Sequence, residues 1–454
     1  MEWMYQLTEQ RASLSLEKMR KSALLRPLSP TLACIALFVV GMILFLINIQ
    51  FPRNHNFDEF HYVPSAKQFL ELKVNQNWEH PPLGKEIMAV SIGLWGDRPI
   101  GWRFASVLFG SLTLVGMYLW GLAVFRKPDI ALWVALITLC NNLLYVQSRI
   151  GMLDTFMFAF MVWGLAAFSA SFTAGLSRNT ALKYLYATGI FFGFSTACKW
   201  FAVIPWFFSI GIVLLVRLLQ YWNTSFGKSS KASTEEWYSS ALWKEIHYGD
   251  FFLALVLTPI TCYLLTFVPY FFIPEMHTRF VDLFLMQKKM WEGQLRVVNN
   301  HPYMSQWPGW ALMTRPIWYA FDKEGAAQEW VRGVLCIGNP WVMWTGVLCV
   351  IYCAYDWIRT RSREAFLVMA FFGVFYLSWA VIPRKVAFYY YYYPAGMSLS
   401  LAAAYAVERV RNQWARVGYL AVSLGLFVYF FPILAALRVP ASAFRNWTWF
   451  RSWI

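Results

Sequence analysis

Two carboxylates stand side by side at Asp58 and Glu59, in the stretch FDEFHY (57–62). Neighbouring side chains point in different directions, so one can face a reacting hydroxyl while the other orients the backbone or a nearby cation. A solvated acidic pair at a helix end would read the same way. Further along comes HPPLGK (80–85). Its prolines fix φ and remove two N–H donors, and Gly84 permits a close approach or a sharp change of direction. Lys85 is thereby presented by a stiff turn, as anchoring a phosphate requires, and His80 can add a hydrogen bond. The competing reading is a rigid interfacial turn with a snorkelling lysine.

Other charges recur at membrane level. SRIGMLD (148–154) carries Arg149 and Asp154, and GFSTACKWFAVIPW (193–206) carries Lys199. Charges buried near a bilayer cost about 2.5–3.5 kcal/mol each on insertion scales, which makes them functional candidates; a structural ion pair of Asp154 with Arg149 or Lys199 is the alternative. NNHPYMSQWPGWALMTRPIWY (299–319) adds His301, a tryptophan series and Arg315. Such aromatics suit stacking on sugar faces, gripping a peptide, or an interfacial belt. VIPRKVAFYYYYYPAG (381–396) sets Arg384 and Lys385 ahead of five tyrosines, suited to a lipid phosphate or to ordinary lipid headgroups. Lys85, Arg149, Lys199, Arg384 and Lys385 come from distant segments yet map to one membrane side, as an anionic lipid-phosphate substrate would require.

The elements that must hold these residues are membrane helices. The chain has 454 residues, 59% of them hydrophobic and only 14% charged, with a mean hydropathy of +0.44. Apolar runs suggest about eleven spans, near 31–49, 101–124, 130–148, 151–174, 182–198, 200–219, 251–273, 335–357, 365–382, 386–406 and 417–437. The expected fold is therefore an all-α polytopic membrane protein. Two long loops, 50–100 and 275–334, fall on the outer side when the basic N-terminal tail is placed inside by the positive-inside rule. Within the first, Tyr62, Ala66, Phe69 and Leu70 share one helical face, as do Leu83, Ile87, Val90 and Leu94, so two amphipathic helices are expected there. The tail precedes a long apolar run and is expected to lead into an uncleaved first helix. The inner stretch 221–237 is Ser/Lys-rich and reads as a linker. The resulting division is a cytoplasmic tail (1–30), a first transmembrane module (31–274), the second outer loop (275–334) and a C-terminal module (335–454).

Seven cysteines lie almost entirely in apolar segments with no CxxC pair, so they read as packing residues. No metal-ligand cluster or nucleotide-binding loop is evident, and no cofactor or metal is expected. The formal charge of +15 is scattered over membrane-flanking loops, which fits topology and an anionic substrate better than nucleic acid.

Taken together, DEFHY, HPPLGK, SRIGMLD, the CKW segment and HPYMSQWPGWALMTRPIWY resemble the protein O-mannosyltransferase family, within the GT-C class of polyprenyl-phosphate-sugar glycosyltransferases. The resemblance runs from about residue 30 to 410. The Arg149-to-Asp154 spacing and the aromatic stretch before Pro394 are shared more widely, including with lipid A aminoarabinose transferases. The resemblance implies inverting transfer of mannose from a polyprenyl-phosphate carrier to Ser or Thr of a translocated protein, with Asp58 as general base and Glu59 supporting the site. It also implies the protein-translocation machinery as a partner and a bacterial inner-membrane location with an outward-facing site. The second outer loop lacks the large lumenal domain of eukaryotic members, as a short bacterial form would. The residues agree with this chemistry: a lipid phosphate leaves well if cations take up its charge, and the acceptor hydroxyl needs a positioned base. A glycolipid or lipid A acceptor is the enzyme alternative, and a transporter or lipid flippase the alternative outside enzymes.

Overall fold

The computed structural model describes residues 28–225, 237–296, 301–410 and 412–454. Nearly all of the basic N-terminal tail, most of the 221–237 stretch and Arg411 lie outside the described residues. The chain runs through α1 (Pro30–Leu46), α2 (Glu59–Leu70), α3 (Leu83–Trp95), α4 (Pro99–Phe125), α5 (Pro128–Leu139), α6 (Asn142–Gln147), α7 (Leu153–Ser171), α8 (Arg178–Cys198) and α9 (Val203–Ser225). It continues with α10 (Tyr248–Phe252), a π-helical turn, α11 (Thr258–Leu265), α12 (Phe280–Arg296), β1 (Ile317–Glu324) and β2 (Trp330–Cys336). It ends with α13 (Pro340–Thr360), α14 (Arg363–Leu377), α15 (Tyr393–Arg409), α16 (Gln413–Leu434) and β3 (Val439–Pro440).

Among the described residues seven helical stretches are long and apolar enough to cross a membrane, and α1 and α5 are shorter apolar helices beside them. The expected spans at 182–198 and 386–406 coincide with α8 and α15, which are less apolar because protein rather than lipid covers much of them. All residues of α15 from Tyr393 to Tyr405, including Ser398 and Ser400, are buried. A helix surrounded by other helices is under less pressure to be uniformly greasy.

Local signals set several helix starts. Ser29 accepts from Leu32 N at α1, Ser177 from Thr180 N at α8, and Asn339 from Trp341 N and Val342 N at α13, with proline opening α1 and α13. This cap corrects the expected 335–357 span: Leu335 and Cys336 finish β2, and the helix begins only at Pro340. Likewise Tyr389–Tyr392 form a 3-10 turn before α15.

The helical membrane fold expected from the sequence is joined by a small antiparallel sheet of order β1-β2-β3, in the second long loop and the C-terminal segment. Its alternation is short, and a register irregularity between Trp318 and Ala320 interrupts it. Both amphipathic helices of the first outer loop are present. The α2 helix buries Tyr62, Ala66 and Phe69 but leaves Leu70 exposed. The α3 helix buries Met88, Ala89 and Ile92 against the bundle and leaves the expected apolar face outermost, with Val90 and Leu94 exposed. Gly84 lets α3 approach α7 closely: a Cβ there would stand 2.7 Å from Leu153 Cδ2.

Candidate active site

The adjacent carboxylates of FDEFHY go to opposite fates. Glu59 is fully buried and faces Arg103 of α4, with Nε 2.8 Å from Oε1 and Nη2 2.8 Å from Oε2. It also accepts from Gly151 N (2.8 Å) and Asn56 N (3.0 Å). The remaining Arg103 donors reach the carbonyls of Ile49, Pro52 and Asn54. Burial alone would raise the Glu59 pKa, but the Arg103 guanidinium and the two backbone donors hold it below the usual carboxylate range. Arg149 belongs to the same knot, donating to Asn48 O (2.7 Å), Phe51 O (2.9 Å) and Leu434 O (3.3 Å). These bonds tie the end of α1 and the entrance to the outer loop onto the bundle.

Asp58 is only half-buried, and both of its side-chain hydrogen bonds fall on one oxygen: Oδ2 accepts from Tyr62 OH and Tyr390 OH, each at 3.2 Å. Among the described residues Oδ1 has no protein donor. Burial raises the Asp58 pKa above the usual carboxylate value, with the nearby Lys199 pulling against it and Asp154 reinforcing it. The preceding Phe57 is held at φ +50°, a left-handed conformation that is uncommon for a bulky residue. Its ring contacts His301, Tyr319, Phe388 and Tyr390, with centroids 5.1–5.8 Å away. An aromatic cluster thus stands beside the carboxylate's own loop.

Beyond Tyr390 lies an ion pair. Lys199 Nζ is 2.9 and 2.7 Å from the two Asp154 oxygens and 5.0 Å from the ring centroids of both Tyr390 and Tyr391. Lys199 ends α8 and Asp154 opens α7, so two antiparallel helices deliver the pair to one level. It borders a cavity of about 490 Å³ whose lining is mainly apolar and aromatic, including Trp200, Phe201, Trp291 and Trp379. His80 and Arg384 stand on the same wall. Gln294 of α12 bridges them, donating to Glu79 O (2.8 Å), lying 3.4 Å from His80 Nδ1, and accepting from Arg384 Nη1 (2.8 Å). Burial, reinforced by Lys199 and Lys85, keeps His80 well below its usual pKa, so the ring is neutral. With Nδ1 facing the Gln294 amide, its N–H sits on Nε2.

Four of the expected site residues therefore gather around one cavity or its edge: His80, Asp154, Lys199 and Arg384, with Asp58 joined to them through Tyr390. His301 lies on the aromatic side, against Phe57 and Phe388. Lys85 is corrected. It is fully buried, and its Nζ donates to the carbonyls of Asn77 and His80, so the cation closes the turn instead of facing a ligand. Burial brings its pKa down to about 7. Arg149 is also corrected, since its Nη1 and Nη2 donors are directed to backbone carbonyls; of the two ion pairs weighed for Asp154, the one with Lys199 forms. Lys385 is exposed and lines no part of the cavity, unlike its neighbour Arg384.

Sequence reasoning missed Arg103, Gln294, Phe57 and the pairing of Tyr62 and Tyr390 with Asp58. Arg103 had a legible signal, a charge just inside the apolar run of α4. Gln294, on an amphipathic outer helix with many polar residues, had none.

Chemically, the arrangement offers an ionisable base with a free oxygen, two cations and a neutral N–H donor, beside an apolar cavity large enough for part of a lipid chain. A family model described as Dolichyl-phosphate-mannose-protein mannosyltransferase matches residues 98–273. A second, described as the C-terminal four TMM region of protein-O-mannosyltransferase, matches residues 279–453. The chain is 23% identical to the polyprenol-phosphate-mannose-protein mannosyltransferase of Mycobacterium tuberculosis (strain CDC 1551 / Oshkosh), over 87% of this chain and 86% of the relative. It is also 23% identical to the protein of that name from Corynebacterium glutamicum, over 87% and 88%. Among solved structures it is similar to the S. cerevisiae protein O-mannosyltransferase Pmt1-Pmt2 complex bound to the sugar donor, with a TM-score of 0.76, 15% identity, and 94% and 93% of the two chains covered. The fold is shared more loosely with ArnT from Cupriavidus metallidurans bound to undecaprenyl phosphate: TM-score 0.55, 17% identity, 89% and 65% covered.

Proposed function

The chain belongs to the protein O-mannosyltransferase family, a family of multi-pass membrane glycosyltransferases, and from that premise we propose how its own residues carry out the transfer. Mannose passes from a polyprenyl-phosphate-mannose donor to a Ser or Thr hydroxyl of a protein. The polyprenyl chain enters the apolar cavity, and the donor phosphate meets Lys199, Arg384 and the His80 Nε2–H. Asp58 Oδ1 takes the hydroxyl proton as the acceptor oxygen bonds to the sugar C1. The C1–O bond to phosphate breaks on the opposite face, which inverts the sugar and leaves polyprenyl phosphate. Lys199 and Arg384 take up the charge that grows on the leaving phosphate, so transfer proceeds without a resident metal.

The single observation that carries this reading is the asymmetric bonding of Asp58. Both tyrosine hydroxyls hold Oδ2, and Oδ1 is left for a proton, a few side chains from two cations. A raised pKa improves the carboxylate as a base while it stays ionised near neutrality. The aromatic side, Phe57, His301 and Phe388, receives the acceptor chain. In a bacterial inner membrane with the site on the periplasmic face, the translocation machinery would supply that chain in extended form.

The test is Asp58→Asn in the purified full-length protein, assayed with labelled polyprenyl-phosphate-mannose and a Ser/Thr peptide. Transfer is expected to fall by about 10²–10⁴-fold with membrane insertion and melting temperature unchanged. Near-normal turnover would remove Asp58 from the role. Addition of EDTA is expected to leave the rate unaltered.

A further inference from the structure

A second basic cleft lies at the other end of the bundle. The site residues Asp154 and Lys199 mark one end of α7 and α8; at the far end of α7, roughly 28 Å away by its rise per residue, is a cleft of about 810 Å³. It is built from the C-terminal ends of α4, α7, α13 and α15, the start of α14 and the segment around Trp237–Leu242. Four arginines line it, Arg126, Arg361, Arg363 and Arg409, against two carboxylates, Asp356 and Glu364.

These arginines divide into two kinds. Arg363 is buried and directed to backbone: it donates to Phe172 O, Val124 O, Ala123 O and Ser169 O, closing the ends of α4 and α7. Arg409 is held by Asp356 at 3.3 Å and by the Tyr405 ring. Arg126 and Arg361 are exposed, and among the described residues neither has a carboxylate within ion-pair distance. Arg126 makes one long bond to Thr173 Oγ1 (3.3 Å), and Arg361 lies over the Trp357 ring. Arg126 and Arg363 repel each other electrostatically.

The backbone makes the placement more pointed. Arg126 and Arg361 each cap the C-terminus of a helix at φ +54°, the left-handed position that glycine takes without penalty. A side chain with a Cβ is strained there. Two helices that end in this cleft accept that strain to set a guanidinium at its edge. The helix dipoles explain a preference for positive charge at these ends, but not why two such ends and a third, already satisfied arginine converge on one cavity. Apolar walls from Phe172, Trp237 and Leu242 complete it.

We propose that this cleft binds a phosphate group, with Arg126 and Arg361 as its ligands. A phosphate there joins the two guanidiniums, relieves the repulsion between Arg126 and Arg363, and leaves the apolar wall for whatever the phosphate is attached to. An anionic phospholipid headgroup matches that mixture of polar mouth and apolar wall, as basic pockets between transmembrane helices do elsewhere. Free phosphate is the second source of the same chemistry.

The experiment uses the full-length protein in neutral detergent and measures retention of phosphatidylglycerol, phosphatidylcholine or inorganic phosphate by native mass spectrometry and thermal shift. Wild type is expected to retain phosphatidylglycerol over phosphatidylcholine. Arg126→Gln and Arg361→Gln should each weaken retention about fivefold, which is about 1 kcal/mol per basic side chain, and about 25-fold together. Arg126→Lys with Arg361→Lys should restore most of it, which separates loss of a ligand from loss of fold. Stabilisation by inorganic phosphate that is equal in size and equally sensitive to the two variants supports the site and assigns it to free phosphate. Equal retention by wild type and the double Gln variant, in protein that still transfers mannose at the other end, overturns the proposal.

Discussion

Glu59 and Asp58 are neighbours in the chain, yet they open onto two regions built on opposite terms. Around Glu59, Arg103 and Arg149 nearly every donor ends on a protein acceptor, and the groups are buried. Around Asp58, Lys199 and Arg384 some bonding capacity is left over: Oδ1 of the carboxylate, the Nε2–H of His80, and the Arg384 guanidinium beside the Lys199–Asp154 ion pair at a cavity edge. The difference teaches how to read charge in a membrane protein. A fully satisfied buried charge holds structure, because a partner removed from it leaves an uncompensated charge. A partly satisfied charge at a cavity is where a substrate completes the bonding.

Substitutions can break that contrast from either side. The largest effects come from removing one member of each region. Arg103→Met strands Glu59 and should cost about 3–5 kcal/mol of stability, seen as a large drop in melting temperature and in yield from membranes. Asp58→Asn should do the reverse, with activity lost and melting preserved. If Arg103→Met melted normally but failed only in transfer, Arg103 would belong to the working region and the division would collapse.

A smaller effect sharpens the boundary of the working region. Arg384→Gln removes a charged hydrogen-bond donor from the cavity wall and should lower kcat/KM for the lipid donor about tenfold or more. Lys385→Gln, one residue on and exposed, should stay within about twofold. Equal losses from both would mean that general surface charge, not the cavity, recruits the donor.

The mildest effect is on pH dependence. As the proposed base, Asp58 must be ionised to act, so kcat/KM is expected to fall as pH drops through its pKa, which burial places above the ordinary 3.8. The Tyr62 hydroxyl donates to the ionised form and lowers that pKa, so Tyr62→Phe should move the acid limb to higher pH. An unmoved limb would mean that another group titrates. Glu59 has the opposite sign: its folded pKa is depressed, so its contribution to stability is full above about pH 4.5 and is lost as pH falls through the lower folded value.

Much of this was readable from local pattern. Hydropathy located the membrane helices, and the stiff HPPLGK turn, the two amphipathic outer helices and the Asp58-Glu59 pair were all visible as residues of the right type in the right place. The sheet was not, since its strands are short and interrupted at Tyr319. Lys85 was misread for a physical reason: a turn rich in carbonyls without N–H partners is itself a cation acceptor, and the nearest lysine serves it. Arg384 and Lys385 could not be told apart, because adjacent residues face different surroundings and only the packed neighbour Gln294 shows which one faces the cavity.

Sequence by itself determined that this is a membrane-spanning protein with charged and aromatic residues gathered in two long loops, because hydrophobicity and turn stiffness act over a few residues. Only the tertiary structure decided which charges are satisfied within the fold and which keep bonding capacity beside a cavity. Glu59 finds Arg103 across 44 residues, Lys199 finds Asp154 across 45, and Tyr390 reaches Asp58 across 332. Whether a charge is spent or available depends on partners that approach through space, and no local pattern encodes that.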